Sequence, residues 1–544
     1  MIPAGIEEQW QEAKRAMGRG DFAAVREACA RVLEARPDHA RALNFVGVAE
    51  IALGLPEPGL SHLQRSVELE SGNPALWLNL GAGYLRLEDP DGALLAFRTA
   101  ARLSPDAPAL VGMASCLLNL GRWRDVDDLL DGVPWGNPSL DDLRLHSLAY
   151  NPDCTPDAFR AAHWTWGSQF PHRERPPVRD PRPERALRVG FVSPDFRDHS
   201  CAYFLEALWE HRDPAAMTLF GYSECPLEDA RTRRFQARAD GWRPTHGLPD
   251  QGVAGLVHAD SIDVLIDVAG HTHGNRLSLF ALRPAPIQLT WLGYPGTTGL
   301  TVLDGRITDA AADPPGADDH ATEPLLRLPH FLCYTPAADA PLPGPPPVAL
   351  GQPPTFGCFN APAKLNDRVL DLWSRLLNRH PASRLLLKAK SFQLRSAQEP
   401  VERAFAACGV AADRIEFVGW LADGRSHLSA YQRLDVALDP FPYNGTTTTC
   451  EALWMGVPVV TLPGDRHASR VGRSLLAAAG LTDWVAASED DFLRIAGDLV
   501  LDPAALAVCR RDLRSRLRAS ALLDGRGFAR ALEAQIRRLW LQAL

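Results

Sequence analysis

Residues 438–464 read LDPFPYNGTTTTCEALWMGVPVVTLPG. The run opens in the end of one apolar segment, DVALDPFPY (435–443), and closes in another, PVVTLPG (458–464). Between them Asn444-Gly445 has turn chemistry, and TCEALWMG reads as a helix. Strand, turn, helix and strand in that order are the unit of a parallel sheet. Four consecutive threonines, Thr446 to Thr449, stand where the helix begins. Threonine is a mediocre helix former and a good helix cap. Hydroxyls and free N–H groups at a helix N-terminus, with the helix dipole behind them, suit a diphosphate. A threonine-rich loop is the plainer reading, and the rest of the chain decides between the two.

The same alternation runs through the last two thirds of the chain. Apolar runs occur at LRVGFVS (187–193), TLFGYS, DVLIDVAG (263–270), IQLTWLGYPG (287–296) and GRITDA. A proline-rich connector spans roughly 336–354. A second series follows: TFGCFN (355–360), SRLLLKAK (383–390), RIEFVGW (414–420), DVALDPFPY and PVVTLPG. Runs of this length separated by helices predict two parallel sheets covered on both faces, with a cleft between two Rossmann-like halves. Ligands in such sheets bind beyond the carboxyl ends of the strands. Polar clusters stand at those ends: Asp195, Asp198 and His199 in SPDFRDHS, and His271 and His273 in AGHTHGNR. Gly296 and Thr297 lie in GYPGTTG, and Asn360 and Lys364 in FNAPAK. ADGRSH carries His427, and GDRHASR ends the last strand. Each alone has a dull explanation; their convergence on one cleft points to a site.

In that cleft Thr446, Thr447 and Thr448 would hold a diphosphate, and Lys364 would supply positive charge as it departs. Glu451, one turn into the helix, would accept hydrogen bonds from ribose hydroxyls. No G-x-G-x-x-G follows the first strand, and no G-x-x-x-x-G-K-[ST] is present. The catalytic part has no D-x-D element, so the chemistry calls for no cofactor and no metal, the lysine and the helix dipole doing a metal's charge work.

The first third is different. WLNLGAGYLRLEDPDGALLAFRTAARLSP (77–105) carries Trp77, Leu80, Gly81, Tyr84, Ala93, Phe97, Ala100 and Pro105 in tetratricopeptide register. The frame recurs 34 residues earlier at Leu43, Val46, Gly47 and Leu63, and Pro37 repeats the place of Pro105. A degenerate unit follows in MASCLLNLGRWRDVDDLL. Three or four repeats predict an α-solenoid, whose surfaces mostly bind peptides or proteins. The expected organisation is a repeat array over 1–150, a linker over 151–185, and Rossmann-like domains over 186–345 and 346–544.

The 544 residues carry a net charge of −9, which argues against a nucleic-acid binder. Lysine occurs four times against many arginines, a bias of GC-rich bacterial genomes, so each lysine is mildly informative. Ten cysteines are scattered singly without metal-ligand spacing, as expected of reduced thiols in a cytoplasmic protein. No stretch approaches a membrane span, and the N-terminus does not read as a signal peptide.

The repeats followed by LRVGFVSPDFRDHS, FALRPAPIQLTWLGYPGTTG, FGCFNAPAK and NGTTTTCEALWMGVPVVTLPGDRHASRVG resemble the O-linked N-acetylglucosamine transferases and their SPINDLY relatives. The resemblance implies a GT-B fold. It further implies an inverting, metal-independent transferase that moves a sugar from a nucleotide donor to Ser/Thr hydroxyls of proteins, the repeats presenting the acceptor protein or peptide. By the same resemblance His199 falls at the active-site histidine near sugar and acceptor, and Lys364 at the essential lysine on the diphosphate. His427 falls at the histidine beside the base, Thr447 and Thr448 at the phosphate-binding threonines, and Glu451 where the animal enzyme has an aspartate on the ribose. Ala361, Ala430 and Thr446 depart from the animal enzyme's glutamine, arginine and histidine. The TTTTCE form is closer to the SPINDLY branch, whose members use GDP-fucose. UDP-N-acetylglucosamine is the preferred donor reading and GDP-fucose the alternative; an inactive scaffold with partner-binding repeats is a third. His199, Asp195 or a water chain would take the acceptor proton.

Overall fold

The computed structural model describes residues 4–421 and 423–544. The first residues of the N-terminal stretch and Ala422 of ADGRSH lie outside them. Two compact units emerge: residues up to 147 with 390–400, and residues 148–389 with 401–544.

The first unit is built of paired helices: Ala4–Gly18 with Phe22–Ala35, Ala40–Ala52 with Pro56–Leu69, Pro74–Arg86 with Pro90–Leu103, and Ala107–Asn119 with Trp123–Leu130. Asp21, His39, Asn73, Asp89 and Asp106 cap five of these by accepting a first-turn N–H. The turn inside each pair passes through a left-handed residue: Gly20 (φ 70°), Gly54 (φ 81°), Glu88 (φ 58°) and Gly121 (φ 76°). These positions recur at the 34-residue period, give or take one, so the repeat is written in backbone conformation as well as in side chains. The small residues do what their size implies. A Cβ on Gly81 would meet the Phe97 ring at 2.7 Å, and Ala93 and Ala100 are fully buried.

The second unit holds two parallel sheets. Strands β1 (Leu187–Ser193), β2 (Met217–Ser223), β3 (Gly241–Pro244), β4 (Val264–Asp267), β5 (Ile287–Thr290), β6 (Gly305–Asp309) and β7 (Leu325–Leu328) form the first, in the order β3-β2-β1-β4-β5-β6-β7. The second contains β8 (Thr355–Cys358), β9 (Arg384–Lys388), β10 (Ile415–Val418), β11 (Val436–Leu438) and β12 (Val459–Val460), in the order β10-β9-β8-β11-β12. All pairings are parallel. The sequence runs locate ten of these strands. The edge strands β3 (GWRP) and β7 (LLRL) escape because each is four residues long and lacks a sustained apolar pattern. The helix Pro156–Gly167 occupies part of the stretch expected to be a linker.

The last helix, Gly525–Ala543, follows the second sheet in sequence and packs on the first. Phe528 stacks on Trp291 with ring centroids 5.5 Å apart, and Arg185 lies 4.6 Å over the buried Trp540 ring. Arg537 donates to the carbonyl oxygens of Arg185 and Ala216. No helix among the described residues is long and apolar enough to cross a membrane.

Candidate active site

A cavity of about 300 Å³ opens between the two sheets. Its walls come from segments that follow β1, β5, β7, β8, β11 and β12, the carboxyl ends of the parallel strands. His199 and Cys201 line one side; Asn360, Lys364 and the Thr446–Thr448 run line the other.

The helix Thr447–Trp454 begins at Thr447, with Thr446 at the N-cap. Thr446 makes no side-chain cap hydrogen bond, so the first-turn N–H groups are not closed off by their own cap. Gly445 is the only residue type that fits beneath them: a Cβ there would stand 2.6 Å from Thr448 Oγ1 and 2.7 Å from Thr449 Oγ1. Lys364 Nζ reaches the same place. It donates to the Asn444 carbonyl at 2.7 Å and to Asn360 Oδ1 at 3.1 Å, and lies 4.3 Å over the Tyr443 ring. Thr448 Oγ1 donates to the same Asn360 Oδ1 at 3.1 Å. A cation, several hydroxyls and a helix N-terminus thus border one stretch of the cavity wall, a combination suited to an anion.

Beneath the threonine turn sits Asp439, 1 % exposed, which the sequence reading passed over as part of an apolar strand. Its carboxylate accepts from Gly445 N–H at 2.6 Å and from Thr461 Oγ1 at 2.6 Å. The helix Val471–Ala478 presses on it so closely that a Cβ on Gly472 would meet Asp439 Oδ2 at 2.3 Å. Burial pushes the Asp439 carboxyl up to about 7 against the pull of these two hydrogen bonds and of Lys364. Burial likewise draws Lys364 down to about 8, with Asp439 opposing the fall.

Further along the helix, Glu451 Oε2 accepts from His427 Nε2 at 2.9 Å and from Tyr431 OH at 3.1 Å. His427 Nδ1 faces Lys388 Nζ at 2.6 Å. The ammonium can only donate, so Nδ1 accepts and Nε2 carries the proton toward Glu451. Phe359, which lines the cavity, has its ring 4.3 Å from Tyr431 and 6.3 Å from His427. His427 and Glu451 therefore form a polar shelf just beyond the cavity wall.

On the opposite wall His199 Nδ1 stands 3.4 Å from Asp195 Oδ2 and takes a 3.3 Å hydrogen bond from the Cys201 N–H. Asp195 is 5 % exposed and lies behind the ring, outside the cavity. Burial raises the Asp195 carboxyl and lowers the His199 imidazole, each partly opposed by the other's charge. Thr447 Oγ1 approaches the Ser200 carbonyl at 3.5 Å, so the two walls meet at the threonine run.

The description "Glycosyl transferase family 41" matches residues 171–334 and 353–532, more than half of the chain. The chain belongs to glycosyl transferase family 41. The unmatched break, 335–352, falls on the proline-rich connector. Over 409 residues the chain is 41 % identical to the probable UDP-N-acetylglucosamine–peptide N-acetylglucosaminyltransferase SPINDLY of Oryza sativa subsp. japonica, covering 73 % of this chain and 44 % of that one. It is 30 % identical to the corresponding SEC protein of Arabidopsis thaliana, with 68 % and 39 % covered. The chain thus spans less than half the length of the plant relatives it matches. A solved structure of a mutant O-GlcNAc transferase from Thermobaculum terrenum superposes with a TM-score of 0.77 at 34 % identity, covering 99 % of this chain and 98 % of that one. Repeats followed by a GT-B pair of Rossmann-like domains are the architecture the two share.

Of the residues singled out in this family-41 sequence, His199, Asn360, Lys364, Thr446, Thr447 and Thr448 line the cavity. Asp195, His427 and Glu451 stand directly behind lining residues. Gly296 and Thr297 do not reach it. A Cβ on Gly296 would strike the Phe159 ring at 2.7 Å, and Thr297 Oγ1 is tied to Glu323 at 2.7 Å. Glu323 pairs with Arg306 at 3.2 Å, and Arg306 and Asp313 hold His467, at 3.0 and 2.7 Å from its Nδ1. Since His467 lines the cavity, Thr297 belongs to a buried polar chain that ends there. Asp439, Tyr443 and His467 are the site residues the motif reading missed. Asp439 and Tyr443 sit inside the quoted DVALDPFPY run, and His467 inside GDRHASR, so the signal was adjacency to the strand ends.

Proposed function

We propose that this chain transfers N-acetylglucosamine from UDP-N-acetylglucosamine to Ser or Thr hydroxyls of proteins, with inversion at the anomeric carbon. The observation that carries this reading is the convergence of Lys364 Nζ, Asn360 and the Thr446–Thr448 helix start on one small space in a family-41 cleft. The acceptor oxygen forms its bond to the anomeric carbon as the bond to the diphosphate breaks on the opposite face. The departing charge falls on Lys364, the threonine hydroxyls and the first-turn N–H groups, all in place beforehand. These groups do the charge work, so no metal is required. The acceptor proton goes to His199, because its ring reaches the cavity while Asp195 stays behind it. Asp195 orients that ring and steadies the imidazolium. The ribose is placed on the Glu451 shelf and the base beside His427. The helical array is the candidate part for recruiting the acceptor protein.

Titration calorimetry with UDP and with GDP, before and after EDTA, tests the donor. UDP binding that survives EDTA is expected. Preference for GDP would move the chain to fucosyl transfer, the reading favoured by the TTTTCE form. Binding of neither would leave a scaffold.

The titrating groups set a pH profile. kcat/KM for the donor reports the free enzyme. Its alkaline limb is expected near pH 8, where the uncharged lysine takes over. A bound diphosphate holds the proton on Lys364, so kcat at saturating donor should stay level through pH 8. On the acid side His199 stays neutral below its ordinary range, so activity should persist there. An alkaline limb of equal position in both parameters would remove Lys364 from donor binding.

A further inference from the structure

One cluster in the cavity wall has a donor set that reaches beyond the proton transfer given to two of its members. Asp195, His199 and Cys201 each offer one donor atom, a carboxylate oxygen, an imidazole nitrogen and a thiol sulfur, all within 4.8 Å of one another. Tetrahedral zinc, with ligand bonds of about 2.0–2.3 Å, needs its donors roughly 3.3–3.8 Å apart, so small side-chain movements close the set. The Asp195–His199 edge already measures 3.4 Å.

The contacts that hold these atoms now are weak ones. Asp195 is 5 % exposed, yet the basic side chains its carboxylate pairs with among the described residues, His199 at 3.4 Å and Arg197 at 3.8 Å, both stand farther off than a charge-assisted hydrogen bond. Arg197 is 47 % exposed and free to swing into water. His199 Nδ1 has two candidate partners, the Cys201 N–H at 3.3 Å and Asp195 at 3.4 Å, and no single protonation state satisfies both. Cys201 sits at the N-cap of the ten-residue helix Ala202–His211, where burial and the Asp195 charge push the thiol up, so binding a cation there releases the thiol proton. One carboxylate and one thiolate neutralise a divalent cation in this poorly hydrated wall. His199 and Cys201 both border the cavity, so a fourth coordination position opens into it.

We propose that Asp195, His199 and Cys201 form a binding site for one zinc-class divalent cation in the wall of the cleft. Bound there, the cation takes the imidazole lone pair and blocks the path of the acceptor proton. Only this inhibitory consequence rests on the sugar-transfer reading; the site itself rests on the donor set.

The test is a Co2+ titration of the full chain, stripped of metal and free of any affinity tag, followed by absorption spectroscopy. One Co2+ per chain is expected, with a thiolate-to-cobalt charge-transfer band and the intense visible bands of tetrahedral cobalt. Cys201→Ala should abolish the charge-transfer band and weaken binding by more than about 100-fold, the upper end for losing a partner one shell further out. His199→Asn should lose the tetrahedral bands, and serves if Cys201→Ala folds poorly. No thiolate band in the parent chain, or a band that survives Cys201→Ala, overturns the site. In the transfer assay Zn2+ should inhibit the parent reversibly with EDTA, and Cys201→Ala should lose that inhibition relative to its own metal-free rate. A cobalt spectrum as expected without zinc inhibition would overturn the inhibitory role and leave the site standing.

Discussion

Lys364→Ala should lower the rate of sugar transfer by roughly three orders of magnitude, with the protein still folded. The size follows from removing one preorganised charge aimed at a developing anion, which costs about 10²–10³ in turnover, with the lost ammonium at the upper end. The fold should tolerate the change. Lys364 contacts two carbonyl oxygens and a ring face, and Lys364 and Asn360 both border a cavity where water can replace the ammonium. The partner carboxylate need not stay charged: burial already holds the Asp439 carboxyl near 7, and loss of the cation pushes it higher, so it protonates. The measurement is initial rate at saturating donor alongside a thermal melt. A fall of less than tenfold, or a collapsed melt, would remove Lys364 from the role given it.

Asp439→Ala should do the reverse, damaging stability first. The substitution strips the Gly445 N–H and the Thr461 hydroxyl of their acceptor and opens a void beneath Gly472. Each buried donor left without an acceptor costs about 1–3 kcal/mol. The Gly445 turn carries the threonine run, so donor affinity should fall with the melting temperature. Asp439→Asn separates the two effects. It keeps the volume that the helix Val471–Ala478 packs against and an oxygen for the Gly445 N–H, but removes the charge that supports the Lys364 proton. Its melt should shift less than that of Asp439→Ala, while the alkaline limb of kcat/KM moves to lower pH. An unchanged limb in Asp439→Asn would show that the two groups do not sense one another.

Much of this was legible because the decisive features are local. A run such as LRVGFVS shows its strand character in its own residues, and a threonine run after Asn-Gly marks where a helix begins. Repeats are legible for the same reason, each being a helix pair that meets its own neighbours in sequence. What escaped is what only the third dimension assembles. Asp439 is one letter in an apolar strand until Thr461 and Gly472, tens of residues on, close over it. Cys201 is an isolated cysteine until the turn of SPDFRDHSC brings its sulfur beside Asp195 and His199. GYPGTTG has a ligand loop's composition, yet Gly296 and Thr297 are spent on Phe159 and Glu323. Glycine and threonine serve close packing and buried hydrogen bonding as well as they serve a phosphate, and composition alone does not separate these uses.

The helix Gly525–Ala543 gives the chain a property that matters to anyone who would divide it. Its inner face, with Phe528, Leu532, Ile536 and Trp540, completes the wall of a sheet encoded more than 180 residues earlier. Severing the polypeptide at the proline-rich connector would therefore not release two independent proteins. The leading fragment would lack part of its own interior, and the trailing one would carry an apolar helix with nothing to cover it. Supplied together, however, the fragments hold a built-in reason to find each other, and the same helix that forbids separate expression should make this chain a candidate for split reconstitution.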